Sequence, residues 1–142
     1  MINKLVSANK ELFYDNFADL WEININNAET QKRLKVVYGK LLKKEEMKGK
    51  KFLEIGCGLG YFSEQAFALG ANVVGVDVGP KLIKICRNKI PKASFRVANA
   101  SKLPFGNETF DIVLSTEVVE HVDKQTMVMK EMVRVLKKDG IL

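Results

Sequence analysis

"KFLEIGCGLGYF", residues 51–62, sets an apolar run carrying one carboxylate, Glu54, directly ahead of glycines at alternate positions, Gly56, Gly58 and Gly60. Phe52, Leu53 and Ile55 have the pattern of a short buried parallel strand stopped by glycine. Behind the glycines, Phe62, Ala66, Phe67 and Leu69 recur near helical spacing as far as Gly70, which predicts a helix. The unit is strand, glycine loop, helix. Such a loop admits a ligand close to bare backbone, and amides at the start of the helix face negative or polar ligand atoms.

Glycine loops also occur as plain turns, so the downstream context matters. "NVVGVDV", residues 72–78, reads as a second buried strand, and Asp77 at its end lies 21 positions after Gly56. A carboxylate there sits beside the loop and can accept from both hydroxyls of a ribose. The dinucleotide pattern G-x-G-x-x-G would need its third glycine at position 61, which is Tyr61. Glu54 would repel a diphosphate and attract an ammonium group. A nucleoside joined to an amino acid meets both conditions, and S-adenosyl-L-methionine is such a molecule.

From about residue 51 onward the chain resembles the class I S-adenosylmethionine-dependent methyltransferases, especially the branch of quinone-biosynthesis and type 11 methyltransferases. "FLEIGCGLG" looks like their first motif and "VVGVDVGPKLI" their second. "NASKLPFGNETFDIVLSTEVVEHV" matches their third and fourth, and "EMVRVLKKDGIL" the approach to their fifth strand. The order of the four is more specific than any one of them. The resemblance implies an α/β, Rossmann-like parallel sheet, with strands 1 to 4 and the start of 5 present and the C-terminal strands absent. In the family's strand order, 3-2-1-4-5-7-6, that would leave strand 4 as an apolar edge.

Composition agrees with one globular domain able to bury a core, at the small end for a doubly wound fold: 142 residues, 46% hydrophobic, with a formal net charge of +6 spread mostly over lysines. The densest cluster, "KLLKKEEMKGKK" at 40–51, lacks aromatic interleaving and is interrupted by Glu45 and Glu46, so it reads as a solvated helix end rather than a nucleic-acid surface. No apolar run reaches the roughly 18 to 20 residues of a membrane span, and "MINKLVSANKELF" lacks a signal-peptide core. Cys57 and Cys86 fall in the loop and a helix rather than in a disulfide framework, which fits a reducing cytoplasm.

Helices are predicted over 9–22 and 28–46, the second from Leu34, Val37, Tyr38, Leu41 and Leu42 at i, i+3, i+4, i+7 and i+8. They form a cap segment, 1–48, ahead of an incomplete S-adenosylmethionine-binding domain, 49–142. Within that domain strands are predicted at 72–77, in "ASFRVAN" and at 110–116, with helices near 80–89 and 124–137. Alternating helices and strands call for a parallel sheet.

The resemblance also implies site roles. Gly56, Cys57, Gly58 and Gly60 would line the methionine part of the cofactor, Glu54 would attract its ammonium group and Asp77 would take the ribose hydroxyls. Val78 would pack on the adenine face. Asn99, where the family often has aspartate, would accept from the adenine amino group through its amide oxygen, with Ala100 and Ser101 supplying backbone amides. Thr116 would lie under the methionine portion. Arg33 matches an arginine used on the cofactor carboxylate, for which a guanidinium fork is suited; the alternative is that, flanked by Lys32 and Lys35, it simply faces water. Phe13, Tyr14 and Trp21 would either close over the cofactor or serve as core.

"EVVEHV", residues 117–122, holds the single histidine. On a helix, Glu117, Glu120 and His121 would share one face. His121 would act as general base toward a hydroxyl acceptor, or the three would join a divalent-metal site; the metal is not favoured. The function implied is methyl transfer to a small molecule, with a hydroxylated aromatic or quinone precursor as acceptor. The alternatives are an RNA methyltransferase or a non-catalytic nucleoside-binding fragment.

Overall fold

The computed structural model describes residues 27–142; the helix expected over 9–22, with Phe13, Tyr14 and Trp21, lies outside them. Five strands form one parallel sheet: β1 (Lys51–Ile55), β2 (Asn72–Asp77), β3 (Ser94–Val97), β4 (Phe110–Leu114) and β5 (Leu136–Ile141), in the order β3-β2-β1-β4-β5. β1 lies in the middle of the sheet; from it the chain runs outward through β2 to β3, then crosses back to place β4 on the other side of β1. The carboxyl ends of β1 and β4 therefore diverge at a topological switch point, where open α/β sheets bind ligands.

The helices are α1 (Asn27–Val36), α2 (Tyr61–Ala68), α3 (Pro80–Lys89) and α4 (Gln125–Val135). β1 shows why the sheet is parallel and central: Phe52, Leu53, Glu54 and Ile55 are all buried, so both of its faces are covered. One core layer joins Phe52, Val73 and Ile112 to Phe62 and Ala66 of α2 and to Val37, Tyr38, Leu42 and Met47 of the amino-terminal segment. The other joins Leu53, Ile55, Val76 and Val113 to Val128, Met132 and Val135 of α4. Phe67, expected on the inner face of α2, points outward and is 36% exposed.

The helix predicted over 28–46 is shorter than its pattern. After α1 the chain makes a π-helical turn, Val37–Leu41, closed by the Leu42 amide donating to the Val37 carbonyl at 2.7 Å, and then a 3-10 turn, Lys44–Glu46. The wider turn rotates the apolar stripe. Leu42 becomes buried, while Leu41, which helical spacing placed beside it, is 67% exposed.

One further expectation is corrected at the carboxyl end. The fifth strand is present, so β4 is interior, paired on both sides, and the outer position belongs to β5. The pairing of β4 with β5 is irregular, Phe110 opposite Leu136 but Ile112 opposite Ile141, so the edge bulges. Among the described residues no helix is long and apolar enough to cross a membrane.

Candidate functional site

The glycine loop leaves β1 at the switch point, and all three of its glycines adopt positive φ: Gly56 at 73°, Gly58 at 50° and Gly60 at 77°. Side chains with a Cβ rarely adopt that region, so the residue type is set first by the turn. A Cβ on Gly56 would also stand 2.2 Å from Val118 Cγ2, because the segment after β4 packs onto this glycine. Four amides of the loop are engaged by the protein itself. Those of Gly56 and Cys57 donate to the Val76 carbonyl at 2.8 and 3.0 Å, that of Gly60 donates to the Cys57 carbonyl at 2.7 Å, and that of Gly58 donates to Asp77 Oδ2 at 2.9 Å. These bonds tie the loop to the end of β2.

Asp77 is thereby fixed from both sides, since its Oδ1 accepts from the Gly79 amide at 3.0 Å. It is at once a strand-end cap and a carboxylate aimed along the loop. Glu54 is its counterpart below the loop. Its residue is 2% exposed, and Oε2 accepts from Ser63 Oγ at 2.5 Å. Burial pushes its carboxyl up to about 8; the Ser63 hydroxyl and amide and the Lys89 ammonium pull it down, and Asp77 pushes it further up. The buried Tyr38 hydroxyl, raised by burial and by Glu54, donates to the Phe62 carbonyl at 2.6 Å and fixes the first turn of α2.

Cys57 and Cys86 are free and buried, with sulfurs 4.0 Å apart, and Cys86 Sγ donates to the Gly58 carbonyl at 3.2 Å. Their hydrogen bond and burial raise the Cys57 thiol. Around them Lys89 stands 3.9 Å over the Tyr61 ring and pairs with Glu64 at 2.8 Å, closing the outer side of the loop.

The remaining predicted residues fall around this centre with differing fit. Val78 is half-buried directly after Asp77, and Ala100 is buried in the core beneath the following loop. Asn99 is exposed, and its Oδ1 already accepts from both the amide and the hydroxyl of Ser101 at 2.9 Å. An amide oxygen has two lone pairs, so these bonds use what the adenine amino group was expected to find. Thr116 is exposed just beyond β4. Ser115 beside it has a buried hydroxyl without a hydrogen-bond partner, directly after Leu114, which pairs with Glu54 of β1. An orphaned buried hydroxyl is costly, by about 1–3 kcal/mol, and gives the crevice a polar atom for a ligand to meet.

Arg33 reaches the same region from α1, where it donates to Glu117 and, at 3.0 Å, to Glu29; the Glu117 bond raises its already high basicity. Glu117, Glu120 and His121 do not share a helical face, because only Val119–His121 forms a 3-10 turn and Glu117 precedes it, turned to Arg33. No group of three metal-ligating side chains occurs among the described residues.

Several contributors gave no motif signal. Arg134 of α4 donates to the Leu103 and Phe105 carbonyls at 3.2 and 2.7 Å and to Asn107 Oδ1 at 3.0 Å, while Glu131 accepts from the Leu103 amide at 2.6 Å. This pair clamps the loop between β3 and β4 on which Asn99 and Ala100 stand. Ser63 likewise gave no motif signal, and the pattern offered Tyr38 only as part of an apolar stripe, not for its hydroxyl. The only trace of Ser63 was a hydroxyl at a position of α2 whose neighbours at helical spacing are apolar.

The donors and acceptors present suit S-adenosylmethionine: an oriented acid at the end of β2, a buried acid under the loop, and an unpartnered hydroxyl at the switch point. Residues 53–142 match the family described as the methyltransferase domain. The chain belongs to that family. The methyltransferase-domain chain is 40% identical over 101 residues to the ubiquinone biosynthesis O-methyltransferase of Pelagibacter ubique, an alignment covering 68% of this chain and 41% of that protein. It is 39% identical over 101 residues to the protein of the same name from Rhizobium etli CFN 42, with 68% and 40% covered. It thus spans about two-fifths of the length of these curated relatives. Among solved structures, the PH0226 protein of Pyrococcus horikoshii superposes with a TM-score of 0.72 at 34% identity, covering 82% of this chain and 57% of that one. A methyltransferase of Thermotoga maritima, titled a possible histamine N-methyltransferase, gives 0.74 at 24% identity over 90% and 57%, a likeness of fold.

Proposed function

We propose that this methyltransferase-domain chain binds S-adenosyl-L-methionine and belongs to an enzyme that methylates a small molecule, a hydroxylated aromatic or quinone precursor. The observation that carries the reading is the pair of acids joined through one loop: Asp77 bonded to the Gly58 amide, and Glu54 buried beneath the same loop. The acceptor class is supported by the names of the curated relatives. No feature of the described surface favours RNA as the acceptor or a purely structural nucleoside module.

Bound S-adenosylmethionine would supply a methyl group already activated on a sulfonium centre. The chain's part is to hold, orient and exclude water. Asp77 would accept from the ribose hydroxyls while its amide contacts keep it aimed. Glu54 would face the ammonium group, whose charge favours the ionised carboxylate that burial opposes. Val78 and Ala100 would flank the adenine, with Asn99 shaping that loop through its bonds to Ser101. Gly56, Cys57, Gly58, Gly60 and Thr116 would border the methionine portion. Arg33 would turn from Glu117 toward the cofactor carboxylate, both being bidentate partners for a guanidinium. His121, beyond the strand end, would take the acceptor's proton. Residues 1–48 would cap the binding domain 49–142. Free Cys57 and Cys86 support a reducing, cytoplasmic setting.

Transfer of a labelled methyl group tests the assignment. Label passing to a catechol, with none to total RNA, is expected; label found only in RNA would overturn the small-molecule reading.

A further inference from the structure

Glu54 is an acid in a place that disfavours its charge. It is buried under the glycine loop and stands within electrostatic reach of Asp77 on β2, Lys89 on α3, Tyr38 after α1 and the Cys57 thiol in the loop. Of these only Lys89 opposes the loss of its charge, and Lys89 is itself bound to Glu64 and the Leu59 carbonyl. The hydrogen bond that meets the carboxylate directly comes from Ser63, whose hydroxyl donates to Oε2 at 2.5 Å, and the Ser63 backbone adds to the pull toward the charged form. Ser63 is fully buried in the first turn of α2, a turn pinned by Tyr38 through the Phe62 carbonyl. A hydroxyl in an otherwise apolar helix face has one partner to serve, and here that partner is Glu54.

We propose that Ser63 is a positioning residue for the cofactor's ammonium group, acting through Glu54 by fixing the carboxylate's orientation. This rests on the reading of Glu54 as the ammonium partner. An ionised, oriented carboxylate attracts an ammonium strongly, whereas a carboxylic acid offers only a neutral hydrogen bond. Loss of the Ser63 hydroxyl removes one charge-assisted bond, so Glu54 should ionise at higher pH and the ligand should bind less well wherever Glu54 remains protonated.

The test is calorimetric titration of the 142-residue chain with S-adenosylhomocysteine, which carries the same ammonium group, at intervals from pH 6 to 9. Wild type, Ser63→Ala, Ser63→Thr and Glu54→Gln are compared, so that titration of the ligand's own amine cancels in the ratios. Ser63→Ala should bind about tenfold more weakly at pH 7, the deficit should shrink as pH rises, and Ser63→Thr should restore the wild-type profile. Should Ser63→Ala not fold, Ser63→Cys, whose thiol is a weak donor, takes its place in the same comparison. An affinity ratio constant across the pH range, or no deficit at all, overturns the role of Ser63. If wild type binds and Glu54→Gln binds equally well, the ammonium reading of Glu54 fails with it; no binding by wild type overturns the cofactor assignment itself.

Discussion

Replacing Gly56 by alanine tests whether the first glycine of the loop is required by the protein's own packing. Two costs are expected. Alanine at a φ of 73° pays the left-handed penalty, about 1–2 kcal/mol. Its Cβ would also lie 2.2 Å from Val118 Cγ2, so Val118 must leave its place against the apolar cluster of Leu53, Ile55 and Ala100. Displacing a half-buried valine adds about 1–2 kcal/mol, for a total near 2–4 kcal/mol. In Val118→Ala the colliding methyl is gone and the remaining Cβ stands 3.7 Å away, an ordinary contact. In that background Gly56→Ala should cost only the backbone term, giving a coupling of about 1–2 kcal/mol between the two sites. Urea unfolding of the four proteins, read from midpoints at unchanged slope, measures it. Equal costs of Gly56→Ala in both backgrounds would refute the packing argument and leave the glycine to the turn and the ligand alone.

Glu54 predicts a pH dependence whose sign follows from its environment. The folded carboxyl titrates near 8 and the unfolded one near its ordinary value of 4.5, so between them the unfolded chain loses a proton that the folded chain keeps. Stability should therefore be highest below that window, fall as pH rises through it by on the order of 5 kcal/mol, and level off above; Glu54→Gln should flatten the fall in denaturant titrations, and an unchanged slope would contradict the assignment. Arg33→Ala should leave stability within about 0.5 kcal/mol, since its partners are exposed, while weakening S-adenosylhomocysteine binding measurably; a large loss of stability would show the ion pair to be structural. Arg134→Ala should destabilise by about 2–3 kcal/mol in urea unfolding, because it strands the Leu103 and Phe105 carbonyls, and Arg134→Lys should recover only part, lacking the fork that spans them. Full recovery by lysine would show that charge alone is needed.

The fold was legible in residues 51–77 because a fully buried strand, a loop of left-handed glycines and a strand-end acid each leave a local signature. α3 begins and ends as its spacing predicts, with Pro80 at its first position. The errors arise where tertiary geometry overrides spacing. The π turn at Val37–Leu41 moves Leu41 outward, and nothing in the period announces it. The condition that Glu117, Glu120 and His121 share a helical face is not met, since only Val119–His121 forms a 3-10 turn and Glu117 is held by a residue 84 positions away, a contact invisible to local pattern. Asn99 was read for its amide oxygen, but a hydroxyl two residues on claims that oxygen. Ser63, Arg134 and Glu131 were missed for the same reason: each acts through one long-range bond or a few, and their residue types are common.

The central claim, that the loop between Glu54 and Asp77 is a site for S-adenosylmethionine, is tested most directly by calorimetric titration of this chain with S-adenosylhomocysteine, with Asp77→Ala and NADH as controls. The account predicts saturable binding for the wild type, a loss of at least tenfold in the Asp77→Ala variant and no binding of NADH. Equal affinity of wild type and variant, or preference for NADH, would contradict it.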